Sequence, residues 1–500
     1  MRPLLFLAIC LSLAEPAAAA WHRASSAHFV IYADAKPQRL REFAVKLERF
    51  DKAVRVLRKM PDMPPSSGNR VTIFVLRDDK AVQKLIEDKT GFIAGFYRPS
   101  AEGSVAYVPS RVGASDSEDD VNLVFLHEYA HHLMMQELAT PYPEWLIEGF
   151  AEFMASAKFE KDGTVGLGLP AAHRAYGLLE GPTLPLETLL SGRYDKITLG
   201  ERESIYGRGW LLSHYFVFEP ARKGQLDAYL TGIAKGVDPL EAARSAFGDL
   251  KQLDRDLNNY LRRSKLRYWQ VKPADLKIAP IDIAPLSAGV VAVMPLLEEL
   301  KNAAGKDIAT RLVPQIRQVA TQFPGDLLVE TTLAEAELTA ENFREAEAAA
   351  DRALKIDGRS TDAMILKGRT MVARGAHADP FDPETVIQAR KYFLSANKLD
   401  PEDPEPLMHF YFSYLYAGER PNANAVAALH YASDLAPQDI GLRMNSALSY
   451  LHDGKLKEAR LALAPIAFDP HGRETAAVAR RMIAKIDAGD AKGAEQAASE

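Results

Sequence analysis

The sequence predicts an α+β domain followed by an all-α array of helical repeats. Three observations carry that reading. Short β-branched and aromatic runs alternate with helical patterns in the first half of the chain. A strongly apolar helix around residues 121–135 follows them. From Pro324 onward alanines recur at helical spacing in segments that end alike. Five hundred residues exceed one simple core, since a domain takes ~150. Apolar content of 47% and charged content of 26% are those of a globular protein. A net charge of −6, with no basic stripe interleaved with aromatics, argues against a nucleic-acid partner.

Met1–Ala14 has a positive start and a short apolar core, and an alanine run reaches Ala20. This predicts a signal peptide over 1–20, cleaved after Ala20, and an exported, periplasmic or secreted bacterial protein. An uncleaved anchor is the other reading, but a membrane helix needs ~20 apolar residues. Ile9 stands before Cys10 where lipoprotein signals have a small residue, which speaks against a lipid anchor. Cys10 is the only cysteine, so the mature chain has no disulfide. No later segment is long and apolar enough to span a membrane.

The first domain is expected over 21–265. His28–Ala33 reads as a strand, Gln38–Met60 as an amphipathic helix, Arg70–Leu76 as a buried strand and Asp79–Asp88 as a helix. Gly91–Tyr97 and Ser104–Val108 read as a hairpin. Trp145–Arg263 reads as mostly helical, with a polar interruption at Gly192–Arg202. Residues 266–323 are expected to be a linker and helical connection, with helices near Ser287–Ala303 and Lys306–Gln322. Repeats are expected over 324–486 and a flexible tail over 487–500. Ile356, Leu399, Leu435 and Phe468 close similar segments at intervals of 43, 36 and 33 residues, near the ~34-residue tetratricopeptide period. Gly375–Pro383 stretches the first interval as a loop insertion.

The chemistry is concentrated in His127-Glu128-Tyr129-Ala130-His131. Positions i and i+4 share a helix face, so two neutral imidazoles can reach one Zn²⁺ while Glu128 stays free to act as a base. The bland alternative is a helix that happens to carry two histidines, but its apolar setting makes an uncompensated Glu128 costly. Pro143 suits the start of the next helix, where Glu148 and Glu152 again share a face. Glu148 is the candidate third zinc ligand, and Glu152 the acceptor that orients a ligand ring, His127 first. Otherwise the two are solvated glutamates on an exposed stripe.

These residues resemble the gluzincins of the MA clan of metallopeptidases, closest to the bacterial peptidase MA-like, domain-of-unknown-function type. The match lies in His127-Glu128-x-x-His131 and Trp145-Leu146-Ile147-Glu148-Gly149-Phe150-Ala151-Glu152, and spans roughly Trp21–Arg263. It implies a zincin-like metallopeptidase fold, one Zn²⁺ per chain, Glu148 as ligand and Glu152 behind the ligand ring. Sixteen residues separate His131 from Glu148, a little fewer than in related groups, so a tighter loop is expected. Ile205-Tyr206-Gly207-Arg208-Gly209 resembles a helix start whose tyrosine stabilises the oxyanion, which makes Tyr206 a candidate catalytic residue. A core tyrosine is the alternative. Arg208 is expected to be structural. The same holds by default for His173 and His214, with an approach of His173 to the cleft as its other reading, and His132 sits off the ligand face, expected behind the ligands or in the core.

The resemblance implies a zinc metallopeptidase. Glu128 takes the proton of the attacking water as general base, Tyr206 supports the oxyanion, and the partner is a peptide or protein substrate. The "G-x-M-E-N" amine grip of related aminopeptidases is missing, which points to an endopeptidase. The repeats are expected to recruit a protein partner or substrate. A repeat scaffold with weak or no proteolysis, and a zinc hydrolase of non-peptide substrates, are the other expectations.

Overall fold

The structure is a computed structural model, and it describes residues 21–62, 66, 68–87, 95–111, 118–137, 142–194, 196–302, 305–467, 469 and 472–498. The expected signal peptide, the first part of the expected hairpin (91–94) and Phe468 lie outside the described residues.

Among the described residues one sheet has six strands: β1 (Trp21–Ser25), β2 (Phe29–Asp34), β3 (Val71–Leu76), β4 (Phe96–Arg98), β5 (Val105–Pro109) and β9 (Asp282–Pro285), in the order β4-β5-β3-β2-β1-β9. β2 and β5 flank β3 in parallel, and the remaining pairs are antiparallel. A small second sheet joins β6 (Lys158–Phe159), β7 (Val165–Leu167) and β8 (Trp269–Val271).

Successive side chains of a strand point to opposite faces, and here the two faces face different cores. Phe29, Ile31 and Ile73 join the core built with α1 (Pro37–Arg58), α3 (Glu118–Glu137) and α4 (Glu144–Ala155). Tyr32, Phe74 and Tyr107 join the other core, with α2 (Asp79–Leu85) and a later helix, α11 (Ala288–Asn302). On this second face Tyr32, Phe74, Tyr107 and Phe96 stack across four strands, with ring centroids 5.7, 5.3 and 4.7 Å apart.

The first domain continues through α5 (Ala175–Leu179), α6 (Leu186–Ser191), α7 (Leu199–Phe218), α8 (Gln225–Ala234), α9 (Pro239–Phe247) and α10 (Leu250–Leu261). It does not end at 265. β8 pairs with β7, and β9 pairs with β1 at the sheet edge. Within 266–323, expected as a linker and helical connection, the two expected helices form as α11 (Ala288–Asn302) and α12 (Lys306–Gln322), two strands complete the first domain, and α11 covers its sheet.

α11 and α12 (Lys306–Gln322) pack as a hairpin, as do α13 (Leu327–Thr339) with α14 (Phe343–Ile356), α15 (Thr361–Ala376) with α16 (Pro383–Leu399), and α17 (Pro404–Tyr416) with α18 (Ala423–Leu435). α19 (Ile440–His452) with α20 (Leu456–Ala467), and α21 (Arg473–Asp487) with α22 (Ala491–Ala497), complete the array. This C-terminal half is a helical repeat module, and it begins at α11 rather than at 324. Alanines permit the close helix contacts: Ala346, Ala349, Ala350 and Ala353 of α14 are all fully buried. Asp326, Ser360, Asp382, Asp403, Asn422 and Asp439 cap helix N-termini with their side chains. The tail expected to be flexible contains α22, whose Ala494 and Ala497 are buried in the last core.

Candidate metal centre

α3 packs Phe125, Leu126, Tyr129, Ala130 and Leu133 into the first core. The Tyr129 hydroxyl donates to Asp51 of α1 at 2.8 Å, and Asp51 in turn accepts from Arg55 at 2.8 Å, so the helix has one fixed rotation. Its other side turns His127 and His131 toward α4.

α4 lies against α7, and two glycines set the distance. A Cβ on Gly149 would collide with the Gly209 backbone, and one on Gly209 with the Trp145 carbonyl. That close crossing brings buried Glu148 and Glu152 under α3 and places Tyr206 over the same region.

The structure brings three of the sequence-derived residues together. His127 Nε2 lies 3.3 Å from Glu148 Oε2, His131 Nε2 lies 3.5 Å from it, and the two Nε2 atoms are 3.2 Å apart. A tetrahedral zinc with bonds of ~2.0–2.1 Å spaces its ligand atoms ~3.3 Å apart. Two imidazoles and one carboxylate at that mutual spacing therefore fit the ion in both donor type and reach. Glu128 is next to His127 on α3, half-buried, and its charge bears on His127 and on Tyr97.

Glu152 lies behind the His127–His131–Glu148 cluster. Its Oε1 is 3.3 Å from His127 Nδ1. It also accepts from His173 Nε2 at 2.5 Å and from Arg174 Nε and Nη2 at 3.0 and 2.6 Å. Burial resists ionisation of Glu152, yet His127, His173 and Arg174 hold its pKa far below the usual carboxylate range. Burial likewise disfavours a charged His127 ring, but hydrogen bonds to Glu148 and Glu152 outweigh it and the pKa rises to about 10. The His127 lone pair that holds that proton is the one that would bind a metal at this site.

Tyr206 is not at a helix start. α7 begins at Leu199 behind a capping box of Thr198 and Glu201, so Tyr206 sits two turns in, and the expected polar interruption ends early. Its ring centroid is 6.1 Å from that of His127, and the Arg174 guanidinium stacks on it at 4.7 Å. Burial raises its pKa, so the phenol stays a neutral donor.

His173 is not a bystander, because it grips Glu152. Arg174 has no periodic signal in the sequence, yet it bridges Glu152, Glu203 and the Tyr206 ring. Both sit in or beside a short 3₁₀ turn 21 and 22 residues from Glu152, where no helix or strand spacing could reveal them. The adjacent His-Arg pair was the available cue. His132 accepts or donates with the Tyr97 hydroxyl at 2.7 Å, and burial holds its pKa down to about 3. His214 bonds the Tyr260 hydroxyl and the Arg267 carbonyl, both at 2.9 Å, in the core. Arg208 is structural, pairing with Asp254 and donating to the Leu184 carbonyl.

No family model matches the chain, and no curated protein matches it. Solved structures similar to it include a thermophilic TPR protein of Thermus thermophilus, at 19% identity and a TM-score of 0.33 over 39% of this chain and 97% of that one. YrrB, a TPR protein with an unusual peptide-binding site, matches at 14% identity and a TM-score of 0.26, over 39% of this chain and 98% of its own. Yeast Tom70 matches at 13% identity and a TM-score of 0.27, over 77% and 75%. The helical hairpins themselves, rather than these distant likenesses, carry the repeat assignment. No helix among the described residues is long and apolar enough to cross a membrane.

Proposed function

We propose that this chain is an exported zinc metallopeptidase of the gluzincin type, an endopeptidase that joins a zincin-like domain to a tetratricopeptide-like array. The single observation that supports it most is the mutual spacing of His127 Nε2, His131 Nε2 and Glu148 Oε2 at 3.2–3.5 Å. These three side chains would hold the ion. Bound there, Zn²⁺ supplies Lewis acidity, which makes water nucleophilic at neutral pH and polarises a carbonyl.

The remaining steps belong to the chain. Glu128 accepts the proton of the attacking water and returns it to the leaving amine. Tyr206 donates a hydrogen bond to the carbonyl oxygen as charge develops on it. Glu152 holds the Nδ1–H of His127 and so presents Nε2 to the ion. The test is hydrolysis of a panel of peptides and esters with and without chelator, by the parent chain and Glu128→Gln. Chelator-sensitive peptide cleavage lost in the variant supports this reading. Cleavage of esters alone indicates a non-peptide hydrolase.

A second reading draws on the part of the molecule whose architecture is plain: a repeat scaffold or binding protein with weak or no proteolysis. The hairpin array α11–α22 favours it. Partner capture that persists in Glu128→Gln, with no peptide cleavage by the parent, selects that reading.

A further inference from the structure

The turn between β4 and β5 leaves the first domain and enters the array. Ala101 is fully buried, and the apolar residues around it belong to the repeats: Met408, Leu429, Ala432, Ala436 and Leu442. Its N–H donates to Asp439 Oδ2 at 2.8 Å, while Oδ1 of the same carboxylate caps α19 through the Leu442 N–H at 2.8 Å. The next side chain, Glu102, reaches Arg369 Nη2 at 3.1 Å and His409 Nε2 at 3.5 Å. Arg369 is itself held by Glu405 at 3.0 Å. Gly103 then turns the chain back at φ +101°, a conformation that L side chains rarely adopt, although a Cβ there would have open space.

Each feature is one by which a protein reads a peptide. A carboxylate takes a backbone N–H, a methyl-sized apolar pocket selects a small side chain, and an arginine–histidine pair takes an acidic one. Two further contacts hold the neighbouring loop of the first domain nearby: Asn69 Nδ2 donates to the Glu402 carbonyl at 2.9 Å, and Ser66 Oγ to Asp400 at 3.0 Å. A ligand tethered this way has an effective concentration of order millimolar, so a pocket of modest intrinsic affinity remains filled.

We propose that the α15–α19 part of the array is a peptide-binding pocket for a small residue followed by an acidic one, and that its resident ligand is the chain's own Ala101-Glu102 turn. The array's recognition is thereby directed inward. It pins the far end of β4, the strand whose Tyr97 contacts His132 on α3. The inference goes beyond the proposed hydrolysis and does not depend on a metal.

The test uses the full chain and a labelled peptide of residues Arg98–Ser104, followed by fluorescence anisotropy. Ala101→Trp cannot seat in the methyl-sized pocket and vacates it. The peptide should bind that variant in the range of tens to hundreds of micromolar, as expected for a site that relies on ~millimolar tethering. Binding to the parent, and to Ala101→Trp combined with Arg369→Glu, should be at least about tenfold weaker, through occupancy and lost charge pairing respectively. No binding to Ala101→Trp at millimolar peptide, or equal binding to all three chains, overturns the proposal. Should Ala101→Trp not fold, Glu102→Lys in the full chain replaces it, read by amide exchange at Ala101. Exchange accelerated about a hundredfold supports the latch, and unchanged exchange overturns it.

Discussion

Glu152 receives three cationic or donor groups at once, from His127, His173 and Arg174. Orientation of the His127 ring therefore depends on residues outside the His127–His131–Glu148 cluster. Arg174→Ala removes the forked contact and the stacking on Tyr206, and zinc affinity should fall about 10–100-fold, the usual effect of losing an outer partner of a ligand. Arg174→Lys should recover only part of it, because an ammonium cannot reproduce the fork. Competition with a chromogenic chelator measures both. Glu128→Gln should separate chemistry from metal binding: turnover falls about 10²–10⁴-fold while zinc content is unchanged. Equal loss of zinc and of turnover would instead make Glu128 a structural partner of the ligands. At this scale the sequence was readable where residues share a helix face. His127 with His131, and Glu148 with Glu152, are neighbours through the helical repeat itself. His173 and Arg174 reach the site through a turn with no fixed period, so no spacing could announce them.

The α4–α7 crossing decides where those faces meet. A Cβ on Gly149 meets the Gly209 backbone and one on Gly209 meets the Trp145 carbonyl, so any side chain at either forces the helices apart. Gly149→Ala should destabilise the chain by about 1–3 kcal/mol or more, as overpacking does, and should weaken zinc binding because Glu148 is the preceding residue. Thermal unfolding alongside metal titration tests this; an unchanged melting temperature contradicts it. The glycines were visible within the motifs, but their reason was not, since it lies in a helix more than fifty residues away. The same physics hid β1, β8 and β9. Short strands have little pattern of their own, and β9, at the sheet edge, is defined by pairing with a strand some 260 residues earlier. Long helices such as α1 and α12 carried enough turns of apolar periodicity to be placed from sequence alone, and α3 was placed by its continuous apolar run and the His127–His131 spacing.

The two halves form one packed body, because α11 serves both. Val290, Met294 and Leu297 cover the sheet, Val293 and Leu300 enter the repeat core, and the Tyr107 hydroxyl donates to the Glu298 carbonyl at 2.9 Å. Burial at this junction pushes the Glu298 carboxyl up to about 7 from its ordinary 4.5. Below 4.5 the group is protonated in both folded and unfolded chains and makes no difference. Between 4.5 and 7 the unfolded chain releases the proton while the folded one keeps it, so stability falls as pH rises. The full loss above 7 is roughly 3 kcal/mol. Glu298→Gln should therefore raise the melting temperature near pH 8 and leave it unchanged near pH 4. A gain of the same size at both values would show that the carboxyl is not held protonated. The order of a sheet-bearing first half and a helical array, and the spacing of the array's hairpins, were legible in the sequence. The continuity of the halves was not, because α11 reads as an ordinary amphipathic helix whichever core it covers.

Elemental analysis of the purified full chain beside His131→Ala tests the central claim most directly. The account predicts about one zinc per chain in the parent and little in the variant, with both chains folded by circular dichroism. A folded parent that binds no divalent ion, or a variant that retains the full complement, would contradict it.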